Sequence, residues 1–361
     1  MKSKNEVQDE ALNAIKGVHR AGVAVSMGVG KTLLGLRHMV SQYNDVLRVL
    51  VVAPKVSIFT SWKDDAVKFG YDYLLNHIEF TTYLSLVKKD LDYDVIYLDE
   101  CHSLKDTHRT WLKNYRGMII GLTGTPPRVH TSEKGMMVSE FCPIKYSYIT
   151  KKAVEDRILN DYKIMIHTIS LNPMKTIKVE NKGKVWYTSE VASYNYWTGR
   201  IRDAASKKEE QICIIMRMKA LQNFSSKVDF AKKLFESIEE KCILFTNSKE
   251  QADNLCNYSY HSGNTDSEEN LKLFKEDKIN KLSCVLQLNE GVNIPNLKQG
   301  IIMHAYANER KSNQRIGRLL RLNPDDVATI HVLCYRNTID ETWVDSALSD
   351  FDHNKITRYD Y

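Results

Sequence analysis

Nothing in these 361 residues offers a disulfide framework or a zinc site. There are seven cysteines, an odd number, and no two stand in a C-x-x-C pair. Reduced thiols, and with them a cytosolic setting, are the expectation. The opening residues Met1-Lys2-Ser3-Lys4-Asn5-Glu6 are polar and lack the apolar region of a secretory signal. No uninterrupted apolar run reaches the length of a bilayer span, so no membrane partner is expected. Low-complexity segments and short-period repeats are also missing. Charge of neither sign dominates: 51 Lys and Arg against 45 Asp and Glu leave +6. So mild an excess permits a nucleic-acid partner without requiring one. What is present is an ordinary globular balance, 43% hydrophobic and 27% charged, over a length that suits two domains with separate cores.

The apolar residues fall into recognisable periods. Val7, Ala11, Leu12 and Ile15 recur at helical spacing. Val23-Ala24-Val25 reads as a short buried strand, followed by a glycine loop and a helix over 33–40. Dense apolar runs at 46–53, 94–98 and 118–122 read as parallel strands, the last closed by Thr123-Gly124-Thr125-Pro126-Pro127. Strands alternating with helices predict a doubly wound α/β domain. The middle of the chain differs. Residues 175–190 alternate around Asn181-Lys182-Gly183 and predict an exposed hairpin, and 191–240 predict helices with basic faces. A second α/β pattern follows, with strands expected at 242–246, 283–288, 300–303 and 329–333.

Three segments carry phosphate chemistry. Gly28-Val29-Gly30-Lys31-Thr32 lies between a predicted strand and a predicted helix. In that context glycines let backbone N–H groups close on phosphate oxygens, and the helix N-terminus adds partial positive charge. Lys31 is placed to meet the β- and γ-phosphates of ATP, and Thr32 to ligate Mg2+. The leading glycine of the full P-loop pattern is absent, since Val25 stands there. The plain alternative is a glycine-rich turn before Lys-Thr. Asp99-Glu100-Cys101-His102 follows a strand directly, at the carboxyl edge where ligands bind such sheets. Asp99 can hold Mg2+ through water, and Glu100 can orient or deprotonate the attacking water. The alternative is a solvated acidic turn. Cys101 reads as a packing residue. Near the far end, Arg318 and Arg321 share a helix face with Gln314 one turn earlier. A basic surface stripe is the default for such a face. Beside a P-loop, the same arginines can neutralise a γ-phosphate in flight, an effect of roughly a thousandfold or more.

Taken in order, these segments resemble superfamily 2 helicases and translocases of the DExH type. Gln8 resembles the glutamine motif that reads adenine. Ala53-Pro54-Lys55, with Trp62 downstream, resembles motif Ia. Thr82-Tyr83 resembles the short motif that touches the nucleic-acid backbone. Asp99–His102 resembles motif II, Thr123-Gly124-Thr125-Pro126 motif III, Phe245-Thr246-Asn247 motif IV, Gly291-Val292-Asn293-Ile294-Pro295 motif V, and Gln314–Arg321 motif VI. The Pro54–Trp62 spacing leans toward Swi/Snf-type translocases, and 153–159 looks like the linker entry of phage branch-migration and restriction-type helicases. Asn293 departs from the pattern, standing where aspartate is common.

The resemblance implies an α/β fold of two tandem RecA-like P-loop domains, each a mostly parallel sheet flanked by helices, with a small hairpin and helical insert between them. The expected limits are 1–165, 166–225 and 226–361. It implies catalytic roles for Lys31, Glu100, Arg318 and Arg321, and nucleotide contacts from Gln8, Gly28, Val29, Gly30, Lys31, Thr32, Gly291, Asn293 and Gln314. Thr32 and Asp99 are implied for Mg2+, and His102, Thr123 and Thr125 for coupling. Lys55, Thr82, Thr246 and Asn247 are the candidate strand contacts, since short polar side chains there can meet phosphates without reading sequence. Each also has a plain reading as a turn or strand-end residue.

The expected activity is an ATP-dependent DNA helicase acting on single-stranded or forked DNA, working as a monomer in the cytoplasm, or the host cytoplasm if phage-encoded. A duplex-DNA translocase or branch-migration motor, an RNA helicase, and a non-enzymatic clamp are the alternatives. In the insert, Lys175, Lys178, Lys182, Lys184 and Arg200 are interleaved with Trp186, Tyr187, Tyr194, Tyr196 and Trp197. Stacking on bases is one use for such aromatics; packing on the core is the favoured reading.

Overall fold

The computed structural model describes residues 1–26, 28–127, 129–181, 183–285, 294–304, 326–349 and 351–361. Their contacts form two units, one built on Met1–Asp161 and one on the residues from Tyr162 onward.

The first unit opens with α1 (Lys4–Ile15), which Ser3 and Glu6 start in a reciprocal capping box. There follow β1 (Arg20–Val25), α2 (Lys31–Gln42), β2 (Val49–Ala53), α3 (Ser57–Lys68), β3 (Ile78–Thr82), α4 (Tyr83–Leu86), β4 (Val95–Asp99), α5 (Arg109–Asn114), β5 (Met118–Thr123), α6 (Glu133–Phe141), β6 (Ile144–Tyr148) and α7 (Thr150–Glu155). The strands order as β3-β2-β4-β5-β1-β6, every pairing parallel. β2 and β4 are buried at every position. A parallel sheet covered on both faces requires such unbroken apolar runs, and these are the strands the sequence announces. β3 and β6 are not expected from the sequence. They are the two edge strands, where exposed and half-buried residues dilute the apolar signal.

One consequence of the parallel sheet positions the site. All strand C-termini meet one edge, so that edge carries the loop after β1, Lys55 after β2, Thr82 ending β3, Asp99 ending β4 and Thr123 ending β5. Register pairs Val23 with Leu122 and Leu122 with Asp99, which levels the ends of β1, β5 and β4.

The second unit contains β7 (Asp161–Ile169), β8 (Ile177–Asn181), β9 (Lys184–Thr188), α8 (Glu190–Arg202), α9 (Lys207–Asn223), α10 (Ser225–Ser237), β10 (Cys242–Phe245), α11 (Lys249–Leu255), β11 (Ser259–Tyr260), α12 (Ser267–Lys275), β12 (Lys281–Cys284), β13 (Gln299–Ile302), β14 (Val327–Tyr335), α13 (Ile339–Leu348) and β15 (Ile356–Asp360). Its main sheet orders as β11-β12-β10-β13-β14-β7-β15 and is mostly parallel. β7 therefore belongs to this sheet, filling the place between β14 and β15. Phe224, Phe235, Leu244, Ile301, Leu333 and Tyr335 form the core on one face. β8 and β9 form a separate antiparallel hairpin closed by the Asn181–Lys184 pair, with Gly183 at φ +76°. Its aromatics do not all pack as favoured from sequence. Tyr194 of α8 lies against the core, but Trp186, Tyr187 and Tyr196 are exposed. A two-stranded ribbon and a peripheral helix have too little apolar surface behind them to cover these rings.

Candidate nucleotide site

The loop after β1 takes its shape from two left-handed glycines, Gly28 at φ +92° and Gly30 at φ +98°. Gly30 is the N-cap of α2, so Lys31 and Thr32 begin the helix. Gln8 from α1 is buried against this loop. Its amide Nε2 donates to the Val29 carbonyl at 3.1 Å, and its Oε1 accepts from Arg37 Nη1 at 3.1 Å. The approach leaves no room at Gly30, where an added Cβ falls 2.7 Å from Gln8 Nε2. Gly30→Ala therefore meets both a clash and a left-handed backbone that costs a side chain about 1–2 kcal/mol. We expect it to weaken binding of a fluorescent ATP analogue about tenfold; unchanged affinity would show that the loop does not depend on this conformation.

Lys31 is ion-paired with Glu100, both with side chains largely buried. Glu100 is held in the left-handed region at φ +51°, a conformation that costs a non-glycine residue on the order of 1–3 kcal/mol and is concentrated at functional sites. Its Oε2 receives Thr123 Oγ1 at 3.4 Å and the Gly124 N–H at 3.5 Å. His102 Nδ1 lies 2.8 Å from Thr123 Oγ1, and Thr125 N–H donates to the same hydroxyl at 3.1 Å. The Thr125 hydroxyl is itself buried, with no hydrogen-bond partner among the described residues. His102, Thr123 and Thr125, the expected coupling residues, thus form one network around the Glu100 carboxylate.

Electrostatics separate the two acids. Burial opposes ionisation of Glu100, but Lys31 and His102 outweigh it and hold the carboxyl well below the usual range. Burial pushes Asp99 up to about 6, against the pull of Lys31 and with the repulsion of Glu100 added. Burial likewise opposes the Lys31 ammonium, and Glu100 and Asp99 outweigh it, so its pKa is raised. Asp99 is oriented by Trp62, whose indole Nε1 donates to Oδ2 at 2.9 Å. Its carbonyl accepts from the Tyr83 hydroxyl at 2.9 Å.

This donor set fits a hard divalent cation. One carboxylate and one hydroxyl stand at a phosphate loop, and among the described residues no group of three His, Cys, Asp or Glu could form a cage. Mg2+ is bound in just this way, by one or two protein oxygens together with phosphates and water.

The candidate strand contacts have unequal surroundings. Lys55 is exposed and Thr82 half-buried. They follow or end adjacent strands, with Ala53 opposite Thr82. Thr246 is fully buried, and its hydroxyl lies against the Ser248 and Cys284 carbonyls at 3.1 and 3.3 Å. Asn247 is half-buried and donates from Nδ2 to Gln222 Oε1 at 2.7 Å. Gly291, Asn293, Gln314, Arg318 and Arg321 lie outside the described residues. Sequence reasoning missed Arg37 and did not see Trp62 or Tyr83 as the partners of Asp99. Helical spacing shows which face of α3 carries Trp62, but not what that face meets.

A phosphate loop opening a helix and an acidic pair ending a parallel strand, on one edge of a doubly wound sheet, define a P-loop nucleoside-triphosphate hydrolase. Comparison with known proteins narrows the class. Residues 2–128 match the family described as type III restriction enzyme, res subunit, and residues 226–323 match the helicase conserved C-terminal domain. The DNA 3'-5' translocase XPB2 of Sulfurisphaera tokodaii is 24% identical over 92% of this chain and 82% of its own. Two solved structures share the fold. The type ISP restriction-modification enzyme LlaBIII, bound to DNA, superposes with TM-score 0.63 and 14% identity over 100% of this chain. This chain spans only 31% of LlaBIII. The Pyrococcus furiosus Hef helicase domain superposes with TM-score 0.54 and 14% identity, over 94% of this chain and 97% of its own. These matches support a superfamily 2 helicase or translocase, and the chain is a nucleic-acid-dependent ATPase.

Proposed function

We propose that this protein is a DNA motor in which Lys31 and the loop at Gly28–Thr32 bind the phosphates of ATP and Glu100 activates water. The observation that carries this reading is the Lys31–Glu100 pair, enclosed by the His102–Thr123 network. In the structure the lysine and the candidate base neutralise each other. A γ-phosphate competes for Lys31 and releases the carboxylate toward the water it must deprotonate. Mg2+, bound by Thr32 and through water by Asp99, would supply charge neutralisation at the phosphate oxygens. Gln8 is proposed for adenine; its amide must then exchange one of its present partners. Arg318, Arg321 and Gln314, with Gly291 and Asn293, are proposed for the nucleotide from their sequence pattern alone.

Single-stranded or forked DNA is the proposed track, supported by the relationship to a DNA translocase. Lys55 and Thr82, at neighbouring strand ends, are its proposed contacts in the first unit, and Asn247 in the second. Thr246 is enclosed and its N–H donates to the Cys284 carbonyl at 2.9 Å, so a strand contact there requires that bond to open. Duplex translocation without strand separation is the second reading. ATPase stimulation by single-stranded, duplex and forked DNA and by RNA, measured side by side, tests the track. Stimulation by RNA alone overturns the DNA reading. A monomer is proposed. None of the seven cysteines is in a disulfide, which supports a reducing, cytoplasmic setting. Among the described residues, no helix is long and apolar enough to cross a membrane.

The exposed hairpin is the proposed strand-separating element. Trp186 and Tyr187 stand free of the core, and ring stacking is worth about 1–3 kcal/mol per base. Deleting residues 176–186 is expected to reduce unwinding of forked DNA much more than ATPase activity. Equal loss of both would assign the hairpin a structural role.

A further inference from the structure

Helix α3 presents Trp62 to Asp99, one of the two residues proposed for the metal. Trp62 is wholly buried beneath α2, where the Gly35 position admits its ring edge: a Cβ there would fall 2.5 Å from the indole. From that slot Nε1–H reaches Asp99 Oδ2 at 2.9 Å. The indole can only donate, so it fixes one carboxylate oxygen as an acceptor and sets the plane of the group. Trp62 is further held against the Tyr97 ring, centroids 6.0 Å apart, and Tyr97 in turn lies 2.8 Å from His38 Nδ1 of α2.

We infer that Trp62 is a positioning residue for the divalent metal, α3 orienting Asp99 through the Trp62 indole. This rests on the reading of Asp99 and Thr32 as the metal pair. The physical reason for the contact is that a cation held by few protein oxygens gains affinity only if those oxygens are already aimed, and loss of such outer partners costs about 10- to 100-fold.

The test is Mn2+ binding in the presence of ADP, read by electron paramagnetic resonance of free Mn2+, with the full chain. Trp62→Phe keeps a ring and removes the donor. Gly35→Ala keeps the indole but crowds its ring edge out of the slot, so it reports independently if Trp62→Phe fails to fold. Each is expected to raise the Mn2+ dissociation constant about tenfold while leaving ADP affinity without metal unchanged. Asp99→Asn is the reference. If Asp99→Asn weakens Mn2+ binding and neither Trp62→Phe nor Gly35→Ala does, the positioning role is overturned and the site stands. If Asp99→Asn also leaves Mn2+ binding intact, the metal pair itself is misassigned and both fall.

Discussion

A Glu100→Gln chain is expected to bind ATP as well as the wild type and to hydrolyse it about 10²- to 10⁴-fold more slowly, the usual contribution of a positioned general base. The amide is nearly isosteric and can still accept from Thr123 and Gly124, the neighbours that hold Oε2. What it cannot do is take a proton or balance Lys31. These two losses have different signatures. If the variant failed because Lys31 was displaced, ATP affinity would fall with turnover. If the carboxylate is the base, affinity holds and only the chemical step slows. Single-turnover hydrolysis at saturating DNA, beside equilibrium binding of a fluorescent nucleotide, separates them. Turnover within a fewfold of wild type would remove Glu100 from the mechanism.

The second large effect concerns stability. Asp340→Ala is expected to destabilise the second unit by about 3–5 kcal/mol, the cost of leaving one partner of a buried ion pair alone. Lys227 and Asp340 are buried, with side chains 1% and 3% exposed. Asp340 also accepts the Tyr335 N–H at 3.1 Å, and the Lys227 ammonium lies 4.4 Å from the centre of the Tyr335 ring. Removing the carboxylate leaves the ammonium with a ring face and strips a β14 amide of its acceptor. The pair joins α10 to α13, just beyond the α9 end where Gln222 meets Asn247. Urea unfolding followed in the second unit measures the loss. The double variant Lys227→Met, Asp340→Leu should recover most of it, because two apolar groups replace a charge pair without leaving either alone. A loss below about 1 kcal/mol for Asp340→Ala would mean that water or another partner reaches Lys227.

Much of this was legible in the chain. The strands buried on both faces declared themselves as unbroken apolar runs, and the hairpin as alternation around Asn181-Lys182-Gly183. β3, β6, β7, β11 and β15 did not. β3, β6 and β15 leave most of their length incompletely buried at the sheet edges, and β11 is a pair of residues, so neither periodicity nor hydrophobicity marks them. β7 alternates irregularly between buried and exposed positions, and only its place between β14 and β15 shows to which sheet it belongs.

The same division runs through the site. The sequence by itself determined the chemistry on offer: a glycine loop before Lys31 and Thr32, and two acids after a strand, at spacings that phosphate binding requires. Tertiary structure decided how those groups are held. Parallel pairing levelled the ends of β1, β4 and β5, so Lys31 could reach Glu100 across sixty-nine residues of chain. Packing under Gly35 brought the Trp62 indole to Asp99, thirty-seven residues away. Local pattern reports which way a side chain faces along its own helix or strand. Which distant group it meets there is set by the packing of one element on another, and no single segment encodes it.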